Sequence, residues 1–300
     1  MSDKMNGAVL AAALFGAACA WSAEEGIVFG EWDFPMFTTG GGRVCLFDKG
    51  GGIVRTAPTG NNADAWYLEN GNFLFADGNI KEYDPQGKLV WSYSPEVQEG
   101  GGAYACQRLP DGNTVVGENA SGRVVEVDRE GKVVFSLDTH PETKNAHDHM
   151  RMCRKLANGN YLVCMKGDKK VKEFRPDGSV AWEHSFGNSA FAAVRLPNGN
   201  TLVSSLDQVT EVTPDGKEVW VFKASDLPEL GIRNMCGLHT LKSGNIVIGN
   251  YSAYDKDGKG VGMFEITRDK KLVWAYVSPG RKDKSMMGVQ KLDGDFSPLR

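Results

Sequence analysis

The chain has 300 residues, of which 41% are apolar and 37 are glycine, with a formal net charge of -4. That length suits one large or two small domains, and the apolar share is sufficient for a packed core. A small acidic balance without any basic stripe excludes the phosphate-binding surface that a nucleic-acid partner requires.

The N-terminus reads MSDKMNGAVLAAALFGAACAWSAEEG, with Lys4 before an apolar run from Ala8 to Ala20. Ala18-Cys19-Ala20 then gives the small-x-small pattern of a cleavage site, so residues 1–23 are expected to be an export signal. The alternative is a buried helix or an uncleaved anchor, but the run is short for a bilayer and acidic residues follow at once. Gly16 stands where a lipidation signal carries a branched apolar residue, which disfavours lipid attachment at Cys19. No later segment is apolar for long enough to cross a membrane. The expectation is a periplasmic or extracellular protein, residues 24–300, folded as a single domain and monomeric. Its five cysteines match no zinc spacing and read as small buried residues on strands.

From there the chain repeats itself at intervals of roughly 40 to 50 residues, the period of a propeller blade. One unit is a leucine, two turn-forming residues, Gly and Asn. It occurs from Leu68 to Asn72, Leu109 to Asn113, Leu156 to Asn160, Leu196 to Asn200 and Leu241 to Asn245, then in degenerate form at Leu292-Asp293-Gly294-Asp295. Gly takes the left-handed conformation after a type I turn, and a β-branched or aliphatic strand follows. The second unit is a hairpin such as IKEYDPQGKLVWSY at 80–93 or VTEVTPDGKEVWVF at 209–222, with a worn first copy, RVCLFDKGGGIVRT, at 43–56. Two hairpins make a four-stranded antiparallel meander, which is one blade. The sequence therefore predicts an all-β, six-bladed β-propeller, its ring closed by the C-terminal strand joining GIVFGEW and the hairpin at 43–56. The aromatics at one repeat position, Trp91, Phe135, Trp182, Trp220 and Trp274, fill the wedges between blades. The bulged turn at Asn158-Gly159 would set Cys153 and Cys164 on opposite faces, so no disulfide is expected there.

The repeat LPNGNTLV…VTEVTPDGKEVW resembles that of bacterial arylsulfate sulfotransferase-like proteins and, more loosely, of pyrroloquinoline-quinone-like propellers. The quinone resemblance implies a calcium-assisted cofactor site. This chain offers no carboxylate cluster suited to calcium, and the loop Tyr251 to Gly260, despite Asp255 and Asp257, lacks a closing glutamate. No cofactor and no metal are expected. The sulfotransferase resemblance implies histidines and an arginine in the central channel, one histidine accepting a sulfuryl group.

Inner strands line a propeller's channel, and its entrance is the usual ligand position. The strands before the leucine turns should be those inner strands, and Trp66, Gln107, Arg154, Val194, His239 and Gln290 stand two positions before the leucines. Such a polar ring is either a wet channel lining or a ligand pocket. His147, His149 and His239, with Arg154, are the candidate catalytic groups. Asn62, Asp64, Tyr104, Gln107, Arg151, Asn234 and Gln290 are the candidate ligand-binding groups. His147-Asp148-His149 could also be an exposed or structural pair capping the insertion DTHPETKNAHDHM, since two histidines are too few to hold a metal. The reading is a binder of a small polar or anionic ligand, or of a protein partner, at the channel mouth. The alternative is a sulfotransferase-like enzyme using His147, His149 or His239 with Arg151 or Arg154.

Overall fold

The computed structural model describes residues 27–30, 32–60 and 64–292. The leader, Cys19, Asn62 and the turn residues Asp293 to Asp295 lie outside them. Six antiparallel sheets succeed one another along the chain. Blade 1 is built from strands Ala65–Tyr67, Phe73–Ala76, Ile80–Tyr83 and Leu89–Tyr93, from the channel outwards. Blades 2 to 5 repeat the plan, with inner strands Ala103–Arg108, Met152–Lys155, Ala192–Arg195 and Met235–Thr240.

Each leucine turn forms as its residue types require. The Leu68 N–H donates to the Asn72 carbonyl, the Gly71 N–H returns to the Leu68 carbonyl, and Gly71 has a φ of 82°, which costs glycine nothing. The same two bonds recur at Leu109, Leu156, Leu196 and Leu241. At Asn158-Gly159 the bulged turn pairs Met152 with Cys164 and Cys153 with Val163, so the two thiols face opposite ways. All five described cysteines are buried, and none is bridged to another of them.

A column of buried glutamates on the third strands, Glu82, Glu126, Glu173, Glu211 and Glu265, joins the blades. In blades 1, 3, 4 and 5 the Asn closing the leucine turn donates to the glutamate of its own blade: Asn72 to Glu82 at 2.7 Å, Asn160 to Glu173 at 2.6 Å, Asn200 to Glu211 at 2.6 Å and Asn245 to Glu265 at 2.7 Å. A cation from the following blade then pairs with it, as Arg108 does with Glu82 at 2.6 Å and Arg195 with Glu173 at 2.6 Å. The same guanidinium groups lie over the wedge aromatics, Arg108 at 5.0 Å from Trp91 and Arg195 at 5.5 Å from Trp182. A buried carboxylate needs such partners, so the repeat's polar column and its aromatic column form one seam.

Ring closure differs in one strand from the sequence reading. Val289–Lys291 is the inner strand of blade 6 and pairs with Met36–Gly40, followed by Arg43–Phe47 and Ile53–Pro58. Ile27–Phe29, from GIVFGEW, instead pairs with Leu272–Tyr276 as a fifth, outermost strand of blade 5. The reason lies in the segment between them. All five residues of Met36–Gly40 are buried, as a strand covered on both faces requires, while Trp32 and Phe34 pack on Trp274 with ring centroids 5.8 and 5.2 Å away.

Candidate functional site

The inner strands run from one end of the channel to the leucine turns at the other. At the end where they begin lies a cavity of about 630 Å³. Tyr104, Arg151, Phe191, Cys236 and Met287 reach it from or just before the inner strands of five blades. Below it the channel narrows to a void of about 40 Å³ lined by Asp64, Arg154, Met152, Leu238 and Val289.

The constriction is an ion pair. Arg154 Nη1 and Nη2 donate to the Asp64 carboxylate at 2.6 and 3.1 Å, the guanidinium lies 5.0 Å from the Trp66 ring, and Asp64 also accepts the Cys106 N–H at 3.1 Å. The other polar groups of that ring bridge blades. Trp66 donates to the Cys106 carbonyl, Gln107 accepts the Lys155 N–H at 2.8 Å, Gln290 accepts the Tyr67 N–H at 2.9 Å, and His239 Nδ1 accepts the Lys291 N–H at 3.0 Å. Each of these four side chains reaches the backbone of the blade that follows it around the ring. The polar ring thus holds neighbouring inner strands in register.

The mouth is organised differently. Ala146–Asp148 forms a single 3-10 turn whose first N–H groups are capped by the Asn145 side chain, which accepts from the His147 N–H at 3.2 Å. Buried Asn119 of blade 2 pins this turn: its amide donates to the Ala146 carbonyl at 2.7 Å and its oxygen accepts the Met150 N–H at 2.9 Å. His149 Nδ1 donates to the Asn119 carbonyl at 3.0 Å, which fixes that ring to blade 2 and away from the cavity wall. His147 does line the cavity, with Nδ1 3.0 Å from Tyr104 Oη and 3.3 Å from the Gly100 carbonyl, an acceptor that places the neutral ring's proton on Nδ1. Burial, helped by the adjacent Arg151 charge, holds its pKa below the ordinary 6.5, so the imidazole is neutral at neutral pH.

Arg151 donates to the His147 and Met150 carbonyls and lies 4.7 Å over the Tyr104 ring. Asp148 sits between two cations, paired with Lys166 and 3.6 Å from Arg151, and its pKa is lowered by these charges against the opposing effect of burial. Across the opening, Lys282 and Lys284 project into the cavity while Asp283 between them turns inward to Arg43 at 3.3 Å. Among the described residues no carboxylate pairs with Lys282 or Lys284. Phe191 and exposed Tyr251 supply apolar wall, and Asn234 clamps the latter by donating to its carbonyl at 3.0 Å. Cys236 also lines the space, but burial pushes its thiol up to about 12, so it is no nucleophile at neutral pH.

The structure therefore brings His147, Arg151, Tyr104 and Asn234 to one cavity. It places Asp64, Arg154, Gln107, His239 and Gln290 deeper, in bonds between or across blades, and His149 beside the cavity. Among the described residues no group of three or more His, Cys, Asp or Glu is placed to hold a metal. Sequence reasoning missed Lys166, Phe191, Tyr251, Lys282 and Lys284: Phe191 is an apolar residue at the start of an inner strand where only polar groups stood out, and the other four lie in connections whose residue types do not repeat. The alternation Lys282-Asp283-Lys284 was the available signal, since a period of two puts both lysines on one side.

No family model matches the sequence, and no curated protein does. Solved structures do. A protein of unknown function from Bacteroides caccae is 21% identical with a TM-score of 0.75, covering 87% of this chain and 99% of its own. A streptogramin B lyase is 10% identical with a TM-score of 0.61, over 89% of this chain and 96% of its own. The WD40 β-propeller domain of Doa1 is 14% identical with a TM-score of 0.56, over 73% of this chain and 72% of its own. These likenesses are to β-propellers and show the fold alone.

Proposed function

We propose that this propeller binds a small organic anion in the cavity at its channel mouth. One observation carries the reading: Arg151, Lys166, Lys282 and Lys284 line this space, and among the described residues Asp148 is the one carboxylate paired with any of the four. Unlike an exposed basic patch, this space also has aromatic walls, Tyr104, Phe191 and Tyr251, on which a flat apolar body can lie while the cations take its charge. Below it the channel narrows to a void of about 40 Å³ beside the Arg154–Asp64 ion pair, too small to take an organic anion deeper. Calorimetric titration with benzoate, benzenesulfonate and neutral benzamide tests this. The anions should bind and the amide should not, and equal behaviour of all three, or no binding by any, would overturn the reading.

The meeting of a neutral imidazole and a guanidinium supports a second reading, group transfer. In it His147 accepts a sulfuryl group from an aryl sulfate with departure of the phenolate, and Arg151 holds the sulfuryl oxygens. Release of 4-nitrophenol from 4-nitrophenyl sulfate, in wild type and in His147→Ala, measures it directly. No release by wild type in the presence of a phenol acceptor leaves binding without turnover.

A further inference from the structure

We infer that the ligand carries two separated anionic groups, one at each end of a flat or apolar body, and lies across the channel axis. This rests on the anion-binding reading of the same cavity and goes beyond it in specifying how many charges the ligand carries and where. The four cations form two groups. Arg151 and Lys166 belong to blade 3, just before and just after its first two strands. Lys282 and Lys284 belong to the segment that leads into the inner strand of blade 6. That segment lies on blade 6 itself: Thr39 donates to the Ser285 carbonyl at 3.2 Å, and its hydroxyl accepts the N–H groups of Met287 and Gly288 at 3.0 and 3.1 Å. In a ring of six blades the third and the sixth are diametrically opposed, so the two cation pairs face each other over the opening.

Charge follows the same division. Asp148 offsets one of the two charges on the blade 3 side. On the blade 6 side Asp283 is turned away to Arg43, and both lysines remain uncompensated among the described residues. Each side is left with a positive excess, so the field at the mouth attracts an anionic group to both walls. A single anionic group at one wall answers only half of it. Phe191 of the blade 4 entrance and Tyr104 of blade 2 flank the blade 3 wall on its two sides, which suits a ring or a flat chain that runs from that wall towards blade 6. An aromatic dicarboxylate with its carboxylates at opposite ends has that chemistry, as does a body carrying a sulfate or phosphate at each end.

Terephthalate, phthalate and benzoate, titrated into the full chain, separate charge number from charge position. Terephthalate is expected to bind about tenfold tighter than either of the others, a difference of about 1.4 kcal/mol. Lys166→Gln and the double change Lys282→Gln with Lys284→Gln should each bring terephthalate down to the affinity of benzoate. Lys282 and Lys284 are exposed, so the double variant should retain the parent melting temperature, and the binding comparison is made on folded protein. Equal affinities for terephthalate and phthalate, or a terephthalate affinity unchanged in the double variant, would overturn the inference while benzoate binding left the anion site standing. Failure of all three to bind would remove both.

Discussion

At the scale of single residues, two histidines illustrate how chemistry depends on surroundings. His239 is wholly buried and accepts a backbone N–H of the closing strand, whereas His147 is exposed to the cavity beside Arg151. Because burial and Arg151 depress the His147 pKa below 6.5, its proton is taken up only in more acidic solution. A bound anion favours the imidazolium, so affinity for benzenesulfonate, whose own charge is constant, should rise as pH falls from about 7.5 to about 5.5, by up to roughly tenfold. His147→Gln should flatten that profile in calorimetric titrations. Without ligand the sign is opposite. The unfolded chain takes up the proton first, so the contribution of this residue to stability is complete above pH 6.5 and declines as the pH falls through the folded value. Arg154 makes a different point. It is buried with Asp64 as its ion partner, and Arg154→Met would strand a carboxylate in the constriction, at a cost of about 3–5 kcal/mol by chemical denaturation. The double change Arg154→Met with Asp64→Leu should recover most of that loss, because no unpaired charge remains.

At the scale of elements, the two hairpins of the repeat were legible because each is encoded by local rules that recur. A left-handed glycine after two turn residues fixes the inner hairpin, and an alternating strand follows it. Six sheets and their inner strands follow from counting those signals. The glutamate column was equally visible as a recurrent letter, yet its purpose depends on Asn and Arg side chains that meet it only after blades stack. The cavity was legible only in part. Tyr104, His147, Arg151 and Asn234 lie near the starts of inner strands, but Lys166 and Lys282 sit in connections whose residue types do not repeat from blade to blade, so no periodicity points to a face. The strand Ile27–Phe29 was misplaced for a related reason: short apolar runs carry no address, and its partner is chosen by the aromatics that follow. Trp32 stacks 5.1 Å from Phe34 and lies 5.4 to 5.8 Å from Phe47, Tyr276 and Trp274, and donates to the Asp48 carbonyl at 2.9 Å. It therefore ties the outer strand of blade 5 to blade 6. Trp32→Ala should cost about 2 kcal/mol, less than a fully buried tryptophan because the ring is partly exposed, with no change in benzoate affinity.

At the scale of the whole molecule, the question is whether the ring is a stack of independent blades or a closed unit. Each blade contacts its neighbours, so an open row of blades would unfold in pieces, whereas a closed ring has no end from which to fray. Closure here rests on a few residues near the C-terminal end of the described chain. Val289–Lys291 completes blade 6, Gln290 bonds forward to Tyr67 of blade 1, and the Lys291 N–H bonds back to His239 of blade 5. Removing residues 286–300 takes away an inner strand, one wall of the channel and both inter-blade bonds at once. The shortened chain should lose its single sharp thermal transition, with Trp274 and Trp32 fluorescence shifting at lower temperature than the far-ultraviolet signal of the other blades. A synthetic peptide covering 286–300, added in trans, should restore one coincident transition and, with it, benzoate binding, since Met287 then returns to the cavity wall. Coincident transitions in the shortened chain without the peptide would show that closure is not what makes the propeller cooperative, and that the seams of glutamate, asparagine and arginine between successive blades suffice.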